Sequence, residues 1–246
     1  LRFAVMSSVL GLEARLLDEL LRDSRFLANK SSANWLNDCA RLAGGNPQTR
    51  EAVAVLQLAL SDSQPPSRQA QLLTALGNGL ARQGQSVAAV LDQKTTPDTT
   101  RQAAGTVFQA AVKNVSSQQA PAATRVASAL LLGFAPAQLA VPALTGQLNS
   151  SQPLAVQKAA VAALARHPAA ATWTAMLDGW KGHSPGLRAD IIDLLVQRSQ
   201  STHLLLDAVA TSRILSTDLS LEKRQLLANH RDPKLRDRAA KLLAGT

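Results

Sequence analysis

The sequence predicts an all-α chain, a right-handed solenoid of antiparallel helix pairs, on the strength of three observations. The first is a recurring phrase, a helix-opening residue followed by an Ala/Leu-rich helix. Asp232-Pro233-Lys234-Leu235-Arg236 runs into one such helix, and Ser184-Pro185-Gly186-Leu187-Arg188 and Gln152-Pro153-Leu154-Ala155-Val156-Gln157 run into two others. The second is spacing. With Arg2, Arg68, Arg101, Arg125, Gln157, Arg188 and Arg236 in register, the separations are 66, 33, 24, 32, 31 and 48 residues. Units of roughly 30 residues or slightly more suit two helices and two tight turns, so the 24 reads as a lost helix and the 48 as an added one. The third is composition: 46% hydrophobic residues with 3% aromatic and no Tyr build a core from Ala, Leu and Val. Ala and Leu favour helix, and Ala lets helices approach closely. Asn78-Gly79, the one Asn-Gly pair, lacks the alternating flanks of a hairpin.

Apolar spacing and stop signals place the helices in order. Residues 1–10 read as the tail of one unit, and Glu13–Arg22 carries Leu16, Leu17, Leu20 and Leu21 on one face. A helix over Ser32–Leu42 is expected to stop at Gly44-Gly45, and Pro47 to open the next, which reaches Leu60. Ser67–Arg82, Ser86–Gln93 and Pro97–Asn114 follow, then Ser116-Ser117-Gln118-Gln119, read as the weakest point of the array. Pro121–Gly133, Pro136–Leu148, Pro153–Arg166, Ala169–Lys181 and Pro185–Arg198 continue the pattern. Thr202–Ala210, an inserted helix near Leu219–Ala228 capped by Thr217 or Ser220, and Pro233–Ala244 close it. Proline recurs at first turns because the amide it removes had no partner there. The whole chain, 1–246, reads as a single domain and, beginning inside a helical pattern, as a piece of a larger protein.

Cys39, the single cysteine, forms no internal disulfide and reads as a small buried apolar residue beside Trp35, Leu36 and Leu42. The longest apolar stretch, Ala129–Leu144, is broken by Pro136 and Pro142, so no membrane-inserted helix is expected.

The alternation, with Asp/Ser-Pro-x-Leu-Arg opening the second helix of a pair, resembles HEAT repeats. The two ends are more specific. Arg2-Phe3-Ala4-Val5-Met6-Ser7-Ser8-Val9 with Leu20-Leu21-Arg22-Asp23-Ser24-Arg25-Phe26-Leu27 resembles the HEAT-like region of planctomycete-type membrane-bound dehydrogenases. So do Leu205-Leu206-Asp207-Ala208-Val209, Asp218-Leu219-Ser220, Arg224-Gln225-Leu226-Leu227-Ala228-Asn229-His230-Arg231-Asp232-Pro233 and Arg236-Asp237-Arg238-Ala239-Ala240-Lys241-Leu242. In that family a sugar-dehydrogenase-like propeller precedes the segment and a cytochrome c domain follows it. The resemblance implies a non-catalytic scaffold or spacer, with those two domains as partners, in an exported or periplasmic, membrane-associated protein. The family's haem motif, Cys-x-x-Cys-His, does not occur in these residues, so no cofactor is expected on them.

Candidate sites divide between bland and functional uses. His167, His183, His203 and His230 lack metal-ligand spacing; three fall at expected helix C-termini, where the helix dipole favours imidazolium, so no metal site is expected. Gly77-Asn78-Gly79 and Gly182-His183-Ser184-Pro185-Gly186 follow no strand and read as helix stops or turns rather than phosphate loops. Trp173 and Trp180, seven apart on one expected helix, read as packing between repeats.

Charge leaves two readings open. The net charge is +9, and no acidic residue lies between Asp98 and Asp178. Arg101, Arg125 and Arg188 share a register position, with Lys158 one residue along, and a solenoid would align them as a basic ladder. In one reading these arginines hold carbonyls of adjoining turns, the usual role of that position in HEAT repeats. In the other, Arg101, Arg125, Lys158 and Arg188 contact an acidic protein surface or phosphates. A HEAT-like nucleic-acid binder or base-excision enzyme is the alternative that the net charge permits. The sparse ladder argues against it, since such proteins add clustered cations and stacking aromatics.

Overall fold

The computed structural model describes residues 8–47 and 49–244, and among these it holds fifteen α-helices, two 3-10 turns and no strand. Of the tail read over residues 1–10, residues 1–7 lie outside the described residues, Arg2 with them. Among the described residues no helix is long and apolar enough to cross a membrane. The chain divides into two compact units, Leu1–Ala140 and Val141–Thr246.

In the first unit the helices are α1 (Glu13–Arg22), α2 (Ser24–Leu27), α3 (Ser32–Gly45) and α4 (Thr49–Ala59). They are followed by α5 (Pro66–Arg82), α6 (Val87–Leu91), α7 (Asp98–Ser116) and α8 (Ala122–Leu132). The division falls within α9 (Ala137–Thr145), which carries Pro142 inside it. The most extensive packing in this unit is α3 against α5. Gln71 Nε2 donates to the Ala33 carbonyl at 3.4 Å and Gln83 Nε2 to the Gly45 carbonyl at 2.8 Å, each across 38 residues. A constant offset means the two helices run parallel, in register. α1 and α4 meet in the same way, Ala14 N donating to Glu51 Oε2 at 2.9 Å across 37 residues. Leu36, Ala40 and Ala43 of α3 and Leu72, Leu73 and Leu76 of α5 are buried in the core between them.

Glycine explains how α3 and α5 come so close. A Cβ on Gly44 would stand 2.3 Å from the Leu76 carbonyl, and one on Gly79 would stand 2.1 Å from that of Arg41. A Cβ on Gly77 would stand 2.4 Å from the Phe134 ring. These contacts correct two expectations. Gly44-Gly45 does not stop α3 at Leu42, and Gly77-Asn78-Gly79 is neither stop nor turn but lies inside α5. The residues are small because backbone or ring lies against them. Gly84 does end a helix: it takes φ +67, and Gln85 N returns to the Leu80 carbonyl at 2.9 Å. The link after Ser116 is not a weak point either, since α7 and α8 on its two sides pack against each other.

In the second unit the helices are α10 (Leu154–Leu164), α11 (Ala170–Asp178), α12 (Pro185–Leu195), α13 (Ser199–Ala210), α14 (Leu221–Ala228) and α15 (Pro233–Leu243). Short 3-10 turns, Trp180–Gly182 and Ser216–Asp218, precede α12 and α14. α14 stands where an extra helix is expected near Leu219–Ala228, and Ser220 caps it by accepting from Lys223 N at 3.3 Å. Here too alternate helices lie together, α10 on α12 and α11 on α13. The helix expected over Ala169–Lys181 ends at Asp178, and Trp180 sits in the 3-10 turn, so Trp173 and Trp180 do not share a helix. Both are buried, at 3% and 2% exposure. Gly179 caps the helix end, and the His183 ring leaves room there only for glycine: a Cβ would stand 2.8 Å from it.

Candidate functional site

Each helix start fixes its arginine first through the backbone. Arg101 N donates to the Pro97 carbonyl at 3.2 Å, Arg125 N to Pro121 at 3.1 Å and Arg188 N to Ser184 at 3.0 Å. All three arginines are thereby the fourth residue of their helices, α7, α8 and α12. From that position the side chain reaches back along the preceding segment. Arg101 Nε donates to the Leu91 carbonyl at 2.7 Å and Nη2 to Gln93 at 2.9 Å. Arg125 Nε donates to the Val115 carbonyl at 3.2 Å, and the residue is 3% exposed. Arg188 Nε donates to Trp180 and Nη2 to Lys181, both at 3.1 Å. The guanidinium groups thus bond the carbonyls a helix leaves open at its C-terminal end.

The remaining register positions vary the theme. Gln157 Nε2 donates to the Gln152 carbonyl at 2.7 Å, doing with a shorter side chain what arginine does elsewhere. Lys158 is exposed and pairs with Asp190 at 3.1 Å. Arg68 bonds the Gln64 side chain at 3.2 Å, and exposed Arg236 faces Asp237 at 3.6 Å. Arg101 and Arg125 stand on consecutive helices, which accounts for the short step between them in the register.

The sequence marks Asp218 only through the family resemblance and gives its carboxylate no role. Its Oδ2 accepts from Trp180 Nε1 and from Leu215 N, both at 3.1 Å, and its Oδ1 lies 3.6 Å from Arg188. The Arg188 guanidinium also stands 5.6 Å from the centre of the Trp180 ring, within cation–π range. One carboxylate therefore joins the turn after α11, the start of α12 and the segment before α14. Nearby, buried His183 bonds the Met176 carbonyl through Nε2 at 2.9 Å, and its Nδ1 is buried with no hydrogen-bond partner. His230 Nδ1 accepts from Asp232 N at 3.0 Å, and His203 is exposed. Among the described residues no three His, Cys, Asp or Glu side chains gather as a metal set.

Sequence reasoning missed a groove of about 780 Å³ in the first unit. One wall is a face of α3 bearing Asn34, Asn37, Asp38 and Arg41, spaced three and four residues apart as one helical stripe requires. The second is a face of α5 bearing Ser67, Gln71, Thr74 and Asn78, with Ala70 and Ala75 between them. Ala123, Ala127 and Leu130 of α8 form the third side, with Asn114 at the end of α7. Among the described residues the ionic groups in the lining are Asp38 and Arg41, and they pair with each other. Asn37 Oδ1 is buried with no hydrogen-bond partner.

Cys39 lies on α3, fully buried. Burial, with Asp38 adding to it, pushes its thiol up to about 12, so it is neither a nucleophile nor a ligand at neutral pH. Compared with protein-family models, with curated proteins and with solved structures, the chain matches none.

Proposed function

We propose that this chain is a non-catalytic interaction module, a HEAT-like solenoid of antiparallel helix pairs that holds its partners at a fixed spacing. The observation that carries this reading is the packing of each helix on the next but one, about 30 to 40 residues along the chain. α3 and α5 keep a 38-residue offset. α10 and α12 are joined by Lys158 and Asp190, again about one repeat apart in the chain. In a two-helix repeat each helix meets its counterpart in the next unit, which produces such contacts at one period. The arginines support the reading from another side. Fixed at helix starts, they spend their donors on neighbouring helix ends, as a stack of hairpins requires. In the setting that the family resemblance implies, the module sets the distance and angle between a propeller that oxidises substrate and a cytochrome c domain that accepts the electrons.

Fluorescence anisotropy with a labelled DNA duplex tests this against nucleic-acid binding. A protein neutralising six or more phosphates loses roughly 10³-fold in affinity between 50 and 200 mM salt. The module reading expects no saturable binding at physiological salt. Tight binding there that falls steeply with added salt overturns it.

A further inference from the structure

We propose that the edge of the second unit where α10, α12 and α14 end docks an acidic, extended peptide segment bearing a carboxylate at every third residue; this rests on reading the chain as an interaction module. The helices fix that edge. Lys158 of α10 meets Asp190 of α12 at 3.1 Å, and Lys223 of α14 meets Asp193 of α12 at 2.8 Å. Leu148, Asn149 and Ser150, leading into α10, line one hollow with Gly182 and His183, leading into α12, so these two helices start side by side. Arg188 with Asp218 and Asp193 with Lys223 keep one offset of 30 residues, so α14 follows α12 in parallel. The three C-terminal ends therefore share one edge, opposite the one where Arg188 holds its carbonyls. An arginine stands just past each end, Arg166, Arg198 and Arg231, and all three are exposed.

The charge at this edge is uncompensated. Asp178, Asp190, Asp193, Asp207 and Asp218 each hold a cation away from these turns. Asp232 is the one carboxylate in the three turns, and it caps α15 by accepting from Lys234 N at 2.9 Å. Among the described residues no ion pair engages Arg198, Arg231 or the adjacent exposed Lys234. Spacing then selects the partner. Neighbouring helix axes lie about 9 Å apart. A polyproline-type chain rises about 3.1 Å per residue with about three residues per turn, so every third side chain returns to one face about 9 Å along. Carboxylates at that interval meet the arginines one by one, each able to form a two-pronged salt bridge. Duplex DNA fits poorly, since it presents a charge about every 1.7 Å, several for each arginine. The three turns also hold no Phe, Tyr or Trp on which a base could stack.

The test is fluorescence anisotropy of a labelled, C-amidated peptide of three Glu-Pro-Pro triplets at low salt. Saturable binding is expected. Arg198→Ala and Arg231→Ala should each weaken it by about threefold or more, and both together by about tenfold. Arg198→Lys, which keeps the charge, and Lys241→Ala, at the far end of α15, should retain it. A peptide with the same three glutamates adjacent, followed by six prolines, should bind more weakly, and Gln-Pro-Pro triplets should not bind. Arginine at a helix end also gains from the helix dipole. If Arg198→Ala melts at lower temperature, Arg231→Ala and the adjacent-glutamate peptide decide. No saturable binding, binding unaffected by the double substitution, or equal binding of the adjacent-glutamate peptide would each overturn the proposal. Such failure with DNA binding also absent leaves the module reading standing; salt-sensitive DNA binding would remove both.

Discussion

The side-chain amide of Gln83 donates to the main-chain oxygen of Gly45 at 2.8 Å, although 38 residues separate them. Gln71 and Ala33 repeat the relationship earlier in the same pair of helices. Side chains of α5 thus hold carbonyls of α3 at a constant 38-residue offset, and glycine permits the approach.

Glycine substitutions should divide by what faces them. Gly79→Ala places a Cβ 2.1 Å from the Arg41 carbonyl and 2.8 Å from Gly45 N, neither of which is free to move. The helices must part, and we expect a loss of about 3 kcal/mol in urea unfolding. Gly105, inside α7, has nothing within 4 Å of an added Cβ. Gly105→Ala should gain up to about 1 kcal/mol from helix propensity alone.

The arginines should behave as structural groups. Arg125→Ala, removing a buried donor to the Val115 carbonyl, is expected to cost about 2–3 kcal/mol, and Arg101→Ala and Arg188→Ala about 1–2 kcal/mol. Lysine should not restore Arg125, because a single ammonium cannot reproduce the planar fork. Lys158→Ala, which breaks only an exposed pair with Asp190, should cost under about 0.5 kcal/mol. Melting curves that leave all three arginine variants unchanged would make these groups contact residues instead.

Asp218 should govern the inserted segment. Asp218→Ala leaves Trp180 Nε1 and Leu215 N without their acceptor and removes the carboxylate facing Arg188. We expect a loss of about 1–3 kcal/mol and faster proteolytic cutting between Thr211 and Ser220. Asp218→Asn, which keeps an acceptor, should recover part of it.

Cys39 should stay unlabelled by iodoacetamide at pH 8 in the folded chain and react once urea unfolds it. Its thiol is raised from 9.0 to about 12 by burial, so the unfolded chain ionises first as pH rises. The stabilisation is complete below pH 9 and is lost on going toward pH 12, a decline that Cys39→Ala should not show.

The all-α class and most helix positions can be read from the sequence, because apolar period and proline punctuation are local signals. Glu13–Arg22 agrees to the residue, and the arginine positions follow from the recurring helix openings. Gly44 and Gly79 mislead because a glycine that stops a helix and one that admits a neighbouring backbone look alike until the facing helix, 38 residues away, is known. The groove escapes sequence reading for a related reason. Asn34, Asn37, Gln71 and Asn78 have the spacing of ordinary solvated helix faces, and only tertiary packing turns those faces toward one another. Asp218 gives a single faint signal, its 38-residue distance from Trp180.

The parallel packing of α3 against α5 is the central structural claim, and spin labels at exposed positions Asn34 and Ser67, near the starts of the two helices, test it most directly by pulsed dipolar spectroscopy. Parallel packing predicts a short distance, that of two neighbouring helix axes widened only by the label arms. A distance longer by about 20 Å, the length of α3, would place the two starts at opposite ends and contradict it.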